Sequence, residues 1–105
     1  MKRVRVLTLH NCEHCKQFKE ALKAANTVYE DLDADDNSDL ADSVEELLTT
    51  YQYPIVIIEE GKETTFVYNT EDGSKLGPRR LAANVVAIGC FDVEAMLNNV
   101  FPLIK

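Results

Sequence analysis

Apolar and polar positions along the chain follow two different periods, and the change of period marks out the elements. Residues 3–9, RVRVLTL, are β-branched and apolar on both faces from Val4 onward, which predicts an inner strand covered on each side. From Cys12 to about Ala25 the period becomes helical. Cys15, Phe18, Leu22 and Ala25 recur at three- and four-residue steps, with Lys16, Gln17, Lys19, Glu20 and Lys23 facing water and Asn26 able to end the helix. TVYEDLD, 27–33, alternates Val28 and Leu32 with acidic residues and predicts a second strand. After the turn-rich ADDNS, Asn37 or Ser38 is placed to cap a second helix through about Thr50, its inner stripe formed by Leu40, Val44, Leu47, Leu48 and Tyr51.

Pro54 then begins the apolar strand IVII, and Glu60-Gly61-Lys62 turns the chain into a partner strand, TTFVY. Residues 69–84, NTEDGSKLGPRRLAAN, have no apolar period and are expected to form a surface excursion, from which VVAI, 85–88, returns as a short strand. Val93, Met96, Leu97 and Val100 predict a last helix over about 92–100. Two strand–helix alternations followed by a hairpin give a mixed sheet in the order β-α-β-α-β-β.

The length of 105 residues fits one domain, expected to span 1–105. A chain of this size hides roughly two-thirds of its unfolded surface, enough for one modest core. The net charge of −7 argues against nucleic acid, whose phosphates would repel it. No apolar run approaches the ~18 residues of a spanning helix, so no membrane partner is expected. MKRVRVLTLH alternates charged and apolar residues where a signal peptide would carry an apolar block, which leads us to expect a cytoplasmic protein. That compartment argues against a structural disulfide, as does an odd number of cysteines, three.

The candidate chemistry lies in HNCEHC, residues 10–15, just after the first strand and opening the first helix. Two cysteines three positions apart in a first helical turn share one side, near the ~5–6 Å Cα separation that a disulfide prefers. Cys12 is expected to meet unpaired N–H groups and the positive end of the helix dipole, an environment that lowers a thiol pKa from ~8.5 into the range of about 3.5–7.5. Cys15, on the apolar stripe, is expected to stay a shielded thiol. Glu13 opposes a thiolate at Cys12, and His14 favours one when protonated. Other readings of the pair stay open. A zinc site would have to recruit Cys90, His10 and His14, because no second C-x-x-C exists. Two inert cysteines at a helix start are the blandest reading.

These features together resemble the glutaredoxin family, the small branch of the thioredoxin fold. The resemblance runs through strand RVRVLTL, CEHC opening a helix, strand VYEDLD, a second helix, and YP before IVII. The pair Gly89-Cys90 followed by FDVEAML is similar to the family's Gly-Gly-x-Asp segment. The resemblance implies a thioredoxin-like three-layer α/β fold, with a four-stranded mixed sheet flanked by helices. It implies that Cys12 and Cys15 exchange disulfides, with a cis-proline at Pro54 lying against them and Tyr53 free to pair with an extended substrate. Gln52, Gly89, Cys90, Asp92 and His14 complete the substrate-binding set. Asp92 is either an anchor for an amino group or a helix cap.

The chain also departs from the family pattern. Glu13 and His14 replace Pro and Tyr, Leu9 stands where a basic glutathione anchor is usual, and Gln52-Tyr53-Pro54 replaces Thr-Val-Pro. Cys90 takes the place of a glycine, and Val93 that of a second acid. Arg79 and Arg80 are candidates for the missing basic anchor. The expectation is a monomeric cytosolic dithiol–disulfide oxidoreductase that requires no cofactor. Its partners would be disulfide-containing proteins and a reductant, either glutathione as co-substrate or a flavoprotein of the thioredoxin-reductase type. Alternatives from other classes are an iron–sulfur cluster carrier and a redox-inactive binding module.

Overall fold

Strand β1, Lys2–Thr8, lies in the interior of a five-stranded sheet, as its two-sided apolar pattern requires. In the computed structural model, residues 2–48, 51–70, 84–88 and 92–104 are described. Helix α1, Glu13–Ala24, crosses over to β2, Glu30–Asp33, which runs parallel to β1. Helix α2, Ser38–Leu47, leads to β3, Gln52–Glu60, antiparallel to β1 on its other side. The two-residue connection Gly61-Lys62 joins β3 to the antiparallel β4, Glu63–Asn69, with Gly61 at φ 60°, where a side chain would be strained. Strand β5, Asn84–Ile88, pairs parallel with β4, and α3, Val93–Ile104, closes the fold. The strand order is β2-β1-β3-β4-β5.

The layers follow from the alternation of side chains across the sheet. Val4, Val6, Val56, Ile58 and Val67 meet Phe18 and Leu22 of α1 and Met96 and Val100 of α3 on one face. Leu7, Ile55, Ile57, Phe66 and Tyr68 meet Val44 of α2 and Leu48 on the other. This is the three-layer thioredoxin-like arrangement, with one correction. The sheet has five strands, not four, because residues 84–88 find an open edge on β4 and extend the ladder there.

Other boundaries shift where tertiary packing overrides the local pattern. Val28 is 90% exposed and lies outside β2, because only Glu30–Asp33 find β1 partners opposite them. Helix α2 stops at Leu47, with Leu48 extended, so Tyr51 is not part of its stripe. Helix α3 runs past its expected end at 100 and includes Pro102, because Phe101, Leu103 and Ile104 pack onto the core. The expected excursion at 69–84 begins with Asn69 and Thr70 fully buried at the end of β4, and residues 71–83 lie outside the described part.

The end of α1 behaves as its sequence suggests. Asn26 takes a left-handed φ of 57°, its N–H donates to the Lys23 carbonyl at 3.0 Å, and the Thr27 N–H donates to the Leu22 carbonyl at 3.0 Å. Those are the two bonds of a Schellman cap.

Candidate active site

The polypeptide leaves β1 at Thr8 and must reverse within a few residues to start α1. Asn11 makes the turn with a φ of 58°, a conformation asparagine tolerates better than most residues. Cys12 then takes the N-cap position, extended at φ −103° and ψ 108°. Its sulfur accepts a hydrogen bond from the Cys15 N–H at 3.2 Å, and its carbonyl accepts from the Lys16 N–H at 3.1 Å. A helix start has N–H groups with no carbonyl partner, and here the Cys12 sulfur serves one of them.

The two sulfurs are joined as a Cys12–Cys15 disulfide, with a Cα–Cα separation of 5.2 Å. Cys15 is 1% exposed on the inner face of α1, whereas Cys12 is half-buried. An incoming group therefore meets the first sulfur and not the second. His14 lies half-buried in the same helical turn.

Strand β3 supplies the second wall. The Tyr53-Pro54 peptide bond is cis and Pro54 is buried. The Tyr53 carbonyl oxygen lies 3.9 Å from the Cys12 sulfur. Gln52 pairs with Asn69 of β4, but the register slips before Val56 pairs with Val67. Tyr53 and Pro54 thus have no ladder partner opposite them on β1 or β4 among the described residues. The side chain of Tyr53 meets that of Tyr51 edge to face, with ring centroids 5.9 Å apart. Burial raises both phenol pKa values. The negative charge of Glu45 raises them further, and at Tyr53 the neighbouring Tyr51 and Asp35 add to it.

Beside the disulfide a cleft of about 600 Å³ is lined by Thr8, Cys12, Cys15, Lys16, Asp31 and Asp33 among others. The Thr8 hydroxyl donates to Asp31 at 3.2 Å and stands 3.3 Å from the Leu32 carbonyl, while Lys19 pairs with the other Asp31 oxygen at 2.9 Å. The sequence reading missed Thr8, Lys19, Asp31 and Asp33. Their signal was the parallel pairing that sets Thr8 beside Asp33, which becomes visible once β1 and β2 are known to be neighbours.

The remaining candidates separate. Asp92 is exposed, and its carboxylate accepts from the Glu94 and Ala95 N–H groups at 3.0 and 3.3 Å, which makes it the cap of α3. Leu9 is 40% exposed at the mouth of the cleft. Gly89, Cys90, Arg79 and Arg80 lie outside the described residues.

Compared with known proteins, residues 4–62 match the family model described as Glutaredoxin. The match runs from β1 to the β3–β4 turn and includes both cysteines and Pro54. No curated protein and no solved structure gives a significant match.

Proposed function

The chain belongs to the glutaredoxin family, and on that premise we propose that it is a dithiol–disulfide oxidoreductase working through Cys12 and Cys15. One observation carries the reading: a half-exposed sulfur capping a helix is bonded to a buried sulfur one turn behind it.

In the reduced protein the N-terminal N–H groups of α1 stabilise a thiolate at Cys12. The thiolate attacks one sulfur of a substrate disulfide, forming a mixed disulfide and releasing the other sulfur as a thiolate that takes up a proton. Cys15 then loses its proton and attacks the Cys12 sulfur, which expels the second substrate thiol. Two electrons have moved from the dithiol to the substrate, and the Cys12–Cys15 bond has formed. The Tyr53 carbonyl and its unladdered neighbours offer main-chain partners to an extended substrate at the attacked sulfur. The cycle needs no metal or organic cofactor. A reductant resets it, either glutathione or a flavoprotein of the thioredoxin-reductase class. Cytoplasmic residence and a monomeric state accompany this reading.

The test is a coupled assay in which the protein reduces a disulfide substrate at the expense of NADPH. It is run with glutathione and its reductase, and separately with thioredoxin reductase. Turnover in either arm that vanishes in Cys12→Ser supports the proposal. Absence of turnover in both arms, from protein shown to carry the Cys12–Cys15 bond, defeats it.

A further inference from the structure

The second half of the cycle asks a buried group to lose a proton. Cys15 is 1% exposed, so its thiol has almost no direct access to bulk water. It does line the cleft of about 600 Å³ beside the disulfide, together with Asp33. A polar cleft of that size holds water, which can carry a proton between groups that do not touch.

The parallel register sets Asp31 beside Val6 and Asp33 beside Thr8. Val6 packs against Phe18 and Leu22 of α1, so by alternation Thr8, Asp31 and Asp33 face the same side of the sheet as that helix. The ion pair from Lys19 of α1 to Asp31 agrees with this placing. The two carboxylates differ in what is left to them. Asp31 accepts from Thr8 on one oxygen and from Lys19 on the other. Asp33 is half-buried, and one of its oxygens accepts from the Asp35 N–H at 2.8 Å. Its second oxygen has no hydrogen-bond partner among the described residues.

The other charged or titratable side chains lining the cleft are His10, Glu13, Lys16 and Lys19. The two ammonium groups have no lone pair to receive a proton. Glu13 stands two residues before Cys15, a spacing at which helical side chains do not face each other. His10 is exposed in the turn before Cys12.

We infer that the Asp33 carboxylate is the proton acceptor for Cys15, reached through water in the cleft. The inference rests on the oxidoreductase reading and deepens it. In the mixed disulfide the Cys15 thiol gives its proton to a cleft water, which passes one of its own to Asp33. The Cys15 electron pair forms the bond to the Cys12 sulfur. The bond from Cys12 to the substrate breaks, and the substrate sulfur leaves with that pair and takes a proton from solvent. Asp33 then returns its proton to bulk water.

The experiment mixes pre-reduced full-length protein with a disulfide-linked pair of peptides and times the release of each peptide thiol. The first release reports attack by Cys12, the second attack by Cys15, and no reductant takes part. Asp33→Asn keeps an acceptor for the Asp35 N–H. It should slow the second release about a hundredfold at pH 7 and leave the first within about twofold. The deficit should narrow as pH rises toward the ~8.5 of an ordinary thiol, because Cys15 then ionises without help. Asp33→Glu, which retains a carboxylate, should recover about tenfold of the loss, while Asp31→Asn and His10→Gln should leave the second release within about twofold. A second release unaffected in Asp33→Asn overturns the inference and leaves the oxidoreductase reading standing. So does a deficit that is independent of pH, is shared by both releases, is unrelieved in Asp33→Glu, or appears equally in Asp31→Asn or His10→Gln. Wild-type protein that releases neither thiol defeats both.

Discussion

The Cys12 sulfur lies 3.9 Å from the Tyr53 carbonyl oxygen, bringing the start of α1 against the start of β3 across 41 residues of chain. In the oxidised protein this is a contact without a proton, since the sulfur is bonded to Cys15. Reduction gives the sulfur a proton it can share with that carbonyl, or a negative charge that the carbonyl repels. The Tyr53 carbonyl and the Cys15 N–H, 3.2 Å from the same sulfur, therefore act on a thiolate in opposite senses. The helix start favours the charged form.

Removing the resolving sulfur should strand the reaction halfway. Cys15→Ser, exposed to a peptide disulfide, is expected to accumulate a covalent adduct at Cys12, visible in the intact mass as one added peptide thiol. Cys12→Ser should accumulate none at Cys15, which is 1% exposed. Adducts on both variants in equal yield would contradict the division of labour between the two sulfurs.

Asp92 offers a clean separation between a structural and a binding role. Its carboxylate caps two N–H groups of α3, so Asp92→Ala should lower stability by about 1 kcal/mol in urea unfolding. Asparagine caps nearly as well as aspartate, and Asp92→Asn should keep the wild-type midpoint. A KM increase in Asp92→Asn at unchanged stability would assign the charge to substrate binding as well.

Phe18 is fully buried one turn beyond Cys15, in the cluster shared by α1, the sheet and α3. Phe18→Ala is expected to cost about 3–5 kcal/mol through lost burial and a residual cavity. That is a large share of the ~5–15 kcal/mol typical of a domain. Equilibrium unfolding followed by circular dichroism measures it.

All four tyrosines, 29, 51, 53 and 68, have phenol pKa values raised chiefly by burial. A raised pKa in the folded state means that stability from these groups is fully present below the unfolded value near ~10. It is lost as pH climbs from there through the folded values, because the unfolded chain gives up its protons first. Tyrosinate absorbance at 295 nm should thus lag behind that of free tyrosine, and thermal midpoints should drop on the alkaline side of pH 10. Tyr53→Phe should lose part of that alkaline drop.

The Arg3–Glu30 pair gives the acid-side counterpart. The hydrogen bond from Arg3 holds the Glu30 carboxyl below its usual range, and the nearby charge of Arg3 adds to the effect. Whatever this exposed pair contributes is present above the ordinary glutamate pKa and is lost as pH falls through the lowered one. The thermal midpoints of wild-type protein and Glu30→Gln should differ slightly at pH 7 and converge as the solution is made acid enough to protonate Glu30 in the folded protein.

Much of this molecule was written locally. The two-sided apolar run of β1, the helical stripe Cys15-Phe18-Leu22 and the stop at Asn26 each express a short-range rule, and the structure follows them. The placing of CEHC at a strand-to-helix turn was readable for the same reason: spacing within one turn decides which side chains are neighbours.

What the sequence left undecided depended on which distant segments become adjacent. Nothing local announces that β5 will extend the sheet along β4, that Pro102 will be carried inside α3 by the packing of Phe101 and Ile104, or that Val28 will remain in water. The cleft beside the disulfide belongs to the same class, because Thr8, Lys19 and Asp31 converge only when β1, α1 and β2 have docked. Local periodicity records the short-range preferences of the backbone. The surroundings of the reactive sulfurs are a long-range property, fixed by the burial that selects one packing of the helices and strands.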